Sequence, residues 1–316
     1  MAVEIDQVQA LVAIVRGGGV TRAAAALHLS QPAVSRRLHL LERELGAPLF
    51  ERMRKGVMLT EAGRAFLPHA EALLASMRDG AEAVRALEGA DRGAITLALV
   101  GTLASTALTA RLQAFREAYP RVQLRLRTAL SAEVSALVRR GDATLGVRYG
   151  ADEHGELVSA TLHEEARLVV CSPRHRLARA RPARAVTPAM LTGESWIGFP
   201  TRPDGAEEAY ASLPQCLAAS GLGGAEIIGI DSLTAQKRFV EAGFGIALLV
   251  ESSVREELRL GTLERIDVPA LRGGMPVTLV RRQKAYLSGA AQTLVAVIKA
   301  AAAKGAKGLR ATRQSG

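Results

Sequence analysis

Residues 20 to 45 read Val20-Thr21-Arg22-Ala23-Ala24-Ala25-Ala26-Leu27-His28-Leu29-Ser30-Gln31-Pro32-Ala33-Val34-Ser35-Arg36-Arg37-Leu38-His39-Leu40-Leu41-Glu42-Arg43-Glu44-Leu45. They describe two helices joined by a tight turn. Thr21 can cap the first, whose small side, Ala23 to Ala26, lets a second helix approach closely. Leu29-Ser30 makes the turn. Ser30 is a good N-cap, because its hydroxyl can accept a free N–H of the next first turn. Pro32 falls in that turn, where a missing N–H costs nothing. Val34, Leu38, Leu41 and Leu45 recur at helical spacing and predict the buried face. Gln31, Ser35, Arg36 and His39 fall on the other face, with side chains suited to base edges and phosphates. The pattern fits a helix-turn-helix whose second helix is presented outward. It also fits an ordinary two-helix corner with a solvated polar face. Gly46-Ala47-Pro48 ends the second helix, and residues 52 to 60 read as two short strands around a basic turn. Arg52 and Arg54 of such a wing can reach the DNA backbone or the minor groove.

Ala23-Ala24, Leu27, Ser30-Gln31-Pro32-Ala33-Val34-Ser35, Leu41-Glu42, Leu45-Gly46, Pro48-Leu49-Phe50, Glu51-Arg52 and Leu59-Thr60-Glu61-Ala62-Gly63 resemble the signature of LysR-type transcriptional regulators. The match runs through about the first 65 residues with the family's spacing. The resemblance implies an N-terminal winged helix-turn-helix (residues 1–60), a long dimerising linker helix (61–89) and a C-terminal effector-binding domain (90–303). It also implies double-stranded promoter DNA as a partner, with Thr21, Ser30, Gln31, Pro32, Ser35, Arg36, His39, Arg52 and Arg54 as the DNA-binding set.

The composition agrees with a polyanion partner. The chain has 316 residues and a net charge of +10, which favours nucleic acid but also fits a general basic bias. Its length allows two domains. Aromatic residues make up only 3 %, so the cores must be built from Ala, Leu and Val. Two cysteines, Cys171 and Cys216, form no disulfide framework and fit a reducing cytosol. The acidic opening Glu4-Ile5-Asp6 predicts no secretory leader. The longest uncharged stretch, 94–110, falls short of a span of ~20 apolar residues. A cytoplasmic protein with no membrane partner is the expectation.

Asp6 to Val15 predicts a first helix with Val8, Leu11, Val12 and Val15 inward, ended by Gly17-Gly18-Gly19. Thr60 can cap a helix from Glu61 to about Glu88, locally kinked at Pro68. Phe66, Ala70, Leu73, Met77, Ala81, Val84 and Leu87 recur at steps of four and three. That is a narrow seam of the kind that pairs with another helix, with Phe66, Leu73, Met77 and Val84 as its dimerisation residues. Packing on the chain's own effector domain is the other reading of the same stripe. After the linker Gly89-Ala90-Asp91-Arg92-Gly93, strands and helices alternate. Strands fall near 95–100, 122–127 and 144–147, then 168–170, 196–199, 226–230, 245–250 and 277–280, with a last helix over 289–303. Alternating order predicts a parallel sheet with helices on its faces. The end of the chain, 304–316, has four basic residues and no acid and reads as a disordered tail.

Leu103, Phe115, Tyr119-Pro120, Asp142, Leu145-Gly146-Val147, the run Cys171 to Leu177 and the run Ala242 to Leu249 are similar to the LysR-type effector domain. The resemblance implies a fold like that of periplasmic binding proteins: two α/β lobes, about 93–162 with 266–303 and about 163–265. Crossing strands are expected near 150–162 and 263–268. Val250 departs from the family, which commonly has proline there, and leaves that turn open.

No metal-ligand spacing, phosphate loop or nucleophile elbow is present in the sequence, so neither enzyme activity nor a cofactor or metal is expected. The effector should lie between the lobes, where helix N-termini favour anions. Candidate contacts are Gly101, Thr102, Leu103, Thr128, Ser131, Phe199, Thr201, Asp231 and Ser232. The family resemblance implies that residues at the first of these turns meet a ligand carboxylate. Thr102 suits a simple helix cap equally well, and Ser131 suits one better than a ligand contact. Arg148 can pair with an anionic ligand, with Asp142 or with another carboxylate. Cys171 and Cys216 leave a redox switch open, and His175 suits surface or hinge packing. The expected function is a sequence-specific, homodimeric or homotetrameric transcription regulator gated by a small anionic organic effector. The alternative is a cytosolic small-molecule-binding protein without a DNA role.

Overall fold

The computed structural model describes residues 2–52, 57–87, 93–104, 106–152, 155–180, 185–200 and 212–300. Arg54, Thr201, the linker 89–92 and the basic tail lie outside the described residues. An N-terminal head contains α1 (Ile5–Gly17), α2 (Val20–Leu27), α3 (Gln31–Leu45) and a wing of β1 (Phe50–Arg52) and β2 (Val57–Leu59). The wing is antiparallel, with Phe50 opposite Leu59 and Arg52 opposite Val57. Helix α1 begins with a capping box between Glu4 and Gln7 and ends at Gly18, whose φ of 67° is a glycine conformation. Ala10 and Ile14 of α1, Ala23 and Ala24 of α2 and Val34 of α3 form one small core. Val8, Leu11, Val12, Leu41, Leu49 and Ala70 form the other.

Two sequence expectations change here. The N-cap of α2 is Gly19, not Thr21, which sits exposed in the first turn. Only Ala23 and Ala24 of the alanine run are buried, because four consecutive helical residues sweep most of a turn and cannot share one face.

Helix α4 (Glu61–Leu87) follows directly. Thr60 starts it: the hydroxyl accepts the Gly63 N–H at 3.0 Å and donates to the Pro48 carbonyl at 2.7 Å. A Cβ at Gly63 would stand 2.2 Å from the Leu49 carbonyl oxygen, so this close join of wing and helix requires glycine.

The second domain runs β3 (Gly93–Leu99), α5 (Thr106–Ala118), β4 (Val122–Thr128), α6 (Ser131–Arg139), β5 (Leu145–Tyr149) and β6 (Leu157–Cys171). It continues with α7 (Arg176–Ala180), β7 (Trp196–Gly198), α8 (Leu213–Ala219), β8 (Ile227–Gly229), α9 (Leu233–Glu241), β9 (Ile246–Val250) and α10 (Glu251–Leu260). β10 (Glu264–Ile266), β11 (Gly274–Arg282) and α11 (289–300) complete it. The strand order is β4-β3-β5-β11-β6-β9-β7-β8, with β10 also on β6. β3 is parallel to β4 and β5, and β7 is parallel to β8 and β9. These two parallel groups are the lobes. β6 joins them: residues 157–166 pair with β11 of lobe I, and 167–171 pair with β9 and β10 of lobe II. The return runs from Ile266 to Gly274 alongside the same strand. Lobe I closes around Leu97, Leu145, Val277 and Leu294, and lobe II around Trp196, Leu191, Leu217 and Ile246. Val250 takes φ −73°, a value proline shares, so the turn into α10 forms with valine in its place.

Candidate functional site

The first site is the exposed face of α3. Ser30 caps the helix, accepting the Ala33 N–H at 3.4 Å. Val34 and Leu41 are fully buried and Leu38 and Leu45 half-buried, so 3.6-residue periodicity turns Gln31, Pro32, Ser35, Arg36 and His39 outward, and all five are exposed. Arg37, next along, is occupied by Asp6 of α1 at 2.5 Å. The Glu42 carboxylate accepts the Leu49 N–H at 2.8 Å and Arg64 donates to the Leu59 carbonyl at 2.7 Å, which fixes the wing beside α3. Arg52 lies in the wing strand β1. Sequence periodicity did not single out Arg22, which is exposed on α2 beside the Gly17-Gly18 turn.

The second candidate site is the crevice expected between the lobes, where carboxyl ends of parallel strands meet helix N-termini. Gly101, Thr128, Phe199, Asp231 and Ser232 are exposed at those ends and Thr102 is half-buried. Ser232 caps α9, accepting the Ala235 N–H at 3.4 Å. Leu103 leaves the candidate set, because it is buried in the lobe I core. Ser131 does not cap α6, whose N-cap is Leu130; its buried hydroxyl instead accepts the Tyr149 N–H at 3.2 Å.

Thr102 joins a hydrogen-bond chain that crosses the hinge. Its Oγ1 lies 2.9 Å from the Tyr149 hydroxyl, and that hydroxyl donates to Glu165 Oε2 at 3.4 Å. Ser252, in the first turn of α10 in lobe II, donates to the same oxygen at 2.8 Å. With the single Tyr149 proton directed at Glu165, Thr102 donates to Tyr149 and keeps its lone pairs for an incoming donor. Burial, then the Glu165 charge, pushes the Tyr149 phenol far up, so it stays a donor. His163 Nε2 is 3.7 Å from the other Glu165 oxygen. Arg148, one residue before Tyr149, points the opposite way from the strand. It is buried, donates to Ser135 at 2.7 Å and Asp152 at 2.8 Å, and so pairs with Asp152 as its carboxylate.

Both cysteines are free and pack in one lobe II cluster. Burial, with Glu264 and Glu194 nearby, pushes the Cys171 thiol up to about 12. Cys216 Sγ lies 2.7 Å from Arg167 Nη1. His175 links its loop to Glu194 at 3.0 Å. Among the described residues no cluster of three His, Cys, Asp or Glu is placed to hold a metal, and no helix is long and apolar enough to cross a membrane.

A head presenting one helix and a wing, joined by a long helix to a two-lobed α/β domain, defines a class of regulator that pairs a DNA reader with a small-molecule sensor. Family comparisons agree. Residues 5–64 match the bacterial regulatory helix-turn-helix protein model of the lysR family, and residues 88–303 match the LysR substrate binding domain. The chain belongs to the LysR family of DNA-binding transcriptional regulators with an effector-binding domain. It is 30 % identical to the regulator CbbR of Rhodospirillum rubrum over 94 % of this chain and 96 % of that one. It is 32 % identical to TfdS of Cupriavidus pinatubonensis over 87 % and 91 %. Full-length OxyR from Pseudomonas aeruginosa superposes with a TM-score of 0.69 at 17 % identity, covering 96 % and 95 %. CbnR complexed with its target DNA superposes at 0.59 and 21 %, covering 94 % and 99 %. These structures share the fold.

Proposed function

We propose that this chain is a cytoplasmic, oligomeric regulator that reads promoter DNA with Gln31, Ser35, Arg36 and His39 in the major groove. Thr21, Ser30 and Pro32 support the head's approach, and Arg52 and Arg54 of the wing meet the adjoining backbone or minor groove. The observation that carries this reading is the α3 face: five polar or turn-forming residues stand exposed on a helix whose opposite side is locked in two cores. The net charge of +10 adds a nonspecific attraction that salt weakens. The effector is a small organic molecule held between Gly101, Thr102 and Thr128 of one lobe and Phe199, Thr201, Asp231 and Ser232 of the other. Its anionic group, where it has one, is received by backbone N–H groups at helix N-termini, since Arg148 is committed to Asp152. Heads pair through the α4 seam at Leu73, Met77 and Val84, and two such pairs make a tetramer.

The test is Arg36→Ala, measured by fluorescence anisotropy against a duplex selected from a random pool by the wild-type protein. A bidentate base contact predicts a loss of roughly 1–3 kcal/mol on the selected duplex and little on random DNA. Equal affinity for both proteins on both duplexes removes Arg36 from the interface.

A further inference from the structure

Helix α4 has two working faces. At 3.6 residues per turn, Leu73, Met77 and Val84 fall on one side and Glu71, Ala75, Arg78 and Asp79 on the other. The first side is exposed, whereas Ala75 is fully buried. The second side is fastened to lobe I. A Cβ on Gly141, which has φ +68°, would lie 2.8 Å from Cβ of Ala75. Beside that contact Asp142 gathers three guanidinium groups from three parts of the chain. Arg16 of α1 is at 3.0 Å, Arg78 of α4 at 3.4 Å and Arg140 at 3.4 Å. Arg78 also donates to the Arg140 carbonyl, and Arg140 lies 3.9 Å from Glu71. Farther on, Asp79 accepts from Arg282 of β11 at 2.7 Å. Desolvation raises Glu71 and lowers Arg78, as expected where charges leave water.

The same contacts stand at one end of a unit whose other end frames the crevice. Helix α6 begins at Ser131, bonded to Tyr149, and ends beside Arg140. β5 begins just after Asp142 and ends at Tyr149, which is bonded to Thr102. Gly146 lets the two pack without a gap, since a Cβ there would meet Val134 and Val280 at 2.7 Å. A nine-residue helix spans about 13 Å, and a close-packed core transmits displacement instead of absorbing it.

We propose that Asp142 and the Asp79–Arg282 pair are positioning residues: they set the angle between lobe I and the DNA-binding head, and so the spacing and bend at which paired heads engage DNA, with α6 and β5 linking them to the crevice. The proposal rests on the DNA-reader function above. Without the Asp142 charge, Arg16, Arg78 and Arg140 face one another with less carboxylate charge to offset them, and the joint opens.

The experiment compares full-length wild type with D142N, D79R, R282D and the double swap D79R/R282D. Small-angle scattering without DNA gives the radius of gyration, and energy transfer across an end-labelled, wild-type-selected duplex gives the bend. D142N and the single reversals should enlarge the radius and change the bend while leaving single half-site affinity unaltered. The swap should restore both, which a general folding defect would not allow. Unchanged radius and bend in D142N and in the folded single reversals overturns the proposal. If the wild type selects no sequence, the DNA-reader function itself falls, and an unchanged radius then also removes the positioning role.

Discussion

Arg148 and Tyr149 are neighbours with opposite duties, because successive strand side chains point to opposite faces. Their sequence showed a basic residue available for a ligand, and the structure buries it against Asp152 and Ser135 while Tyr149 faces the hinge. The exposure of the α3 face was legible because it follows one local period. The Tyr149–Glu165–Ser252 chain was not, because it depends on strand pairing across long separations, and no sequence motif marks Glu165. Cys171 yields a pH prediction. Its folded value, pushed up to about 12, exceeds the reference value of 9.0. A raised value means that the folded state holds the proton more tightly. The resulting stabilisation is fully present below about pH 9 and is lost as pH rises toward 12. Urea midpoints measured from pH 8 to 11 should therefore fall less steeply in Cys171→Ser, after correction for its lower starting stability. Parallel slopes would show that Cys171 does not drive the alkaline loss.

At the scale of elements, helix α4 reconciles two sequence readings that seemed exclusive. The stripe could pair with another chain or pack on the chain's own effector domain. The helix does pack on its own lobe I, but with Ala75, Arg78 and Asp79. Phe66 and Ala70, at the start of the stripe, belong to the head core. Leu73, Met77, Val84 and Leu87 remain 43 %, 50 %, 64 % and 87 % exposed. A row of large apolar side chains on one helix is what a partner helix covers. Leu73→Asp should therefore weaken the dimer by more than about 2 kcal/mol, because the carboxylate would be desolvated without a partner. Sedimentation at micromolar concentration reads this directly, and an unshifted dimer in Leu73→Asp would exclude the seam. Strand β6 shows the reverse case. Its fifteen residues carry Glu164, Glu165 and Arg167 amid apolar ones, so only Leu168-Val169-Val170 announced a strand. Glu165 and Arg167 are explained by partners elsewhere in the chain, Ser252 for the first and Cys216 for the second.

Across the whole molecule, two local alphabets were readable in the sequence: a helical period in the head and strand–helix alternation in the second domain. Their mutual placement was not, because it rests on a few ion pairs, Asp142 and Asp79 among them, whose partners lie tens to hundreds of residues away. That placement matters for function. A sensor crevice affects DNA only if lobe I and the head move as coupled bodies, and such coupling between sites is typically about 1–3 kcal/mol. Whether paired α3 faces read DNA is decided by hydroxyl-radical footprinting of the full-length protein on its selected duplex. Wild type should protect two half-sites about 10 base pairs apart, or a multiple of that, and the Gln31→Ala/Ser35→Ala/Arg36→Ala protein should protect neither. A footprint that persists in the triple variant, or a single unpaired protected site in wild type, would contradict reading by paired α3 faces.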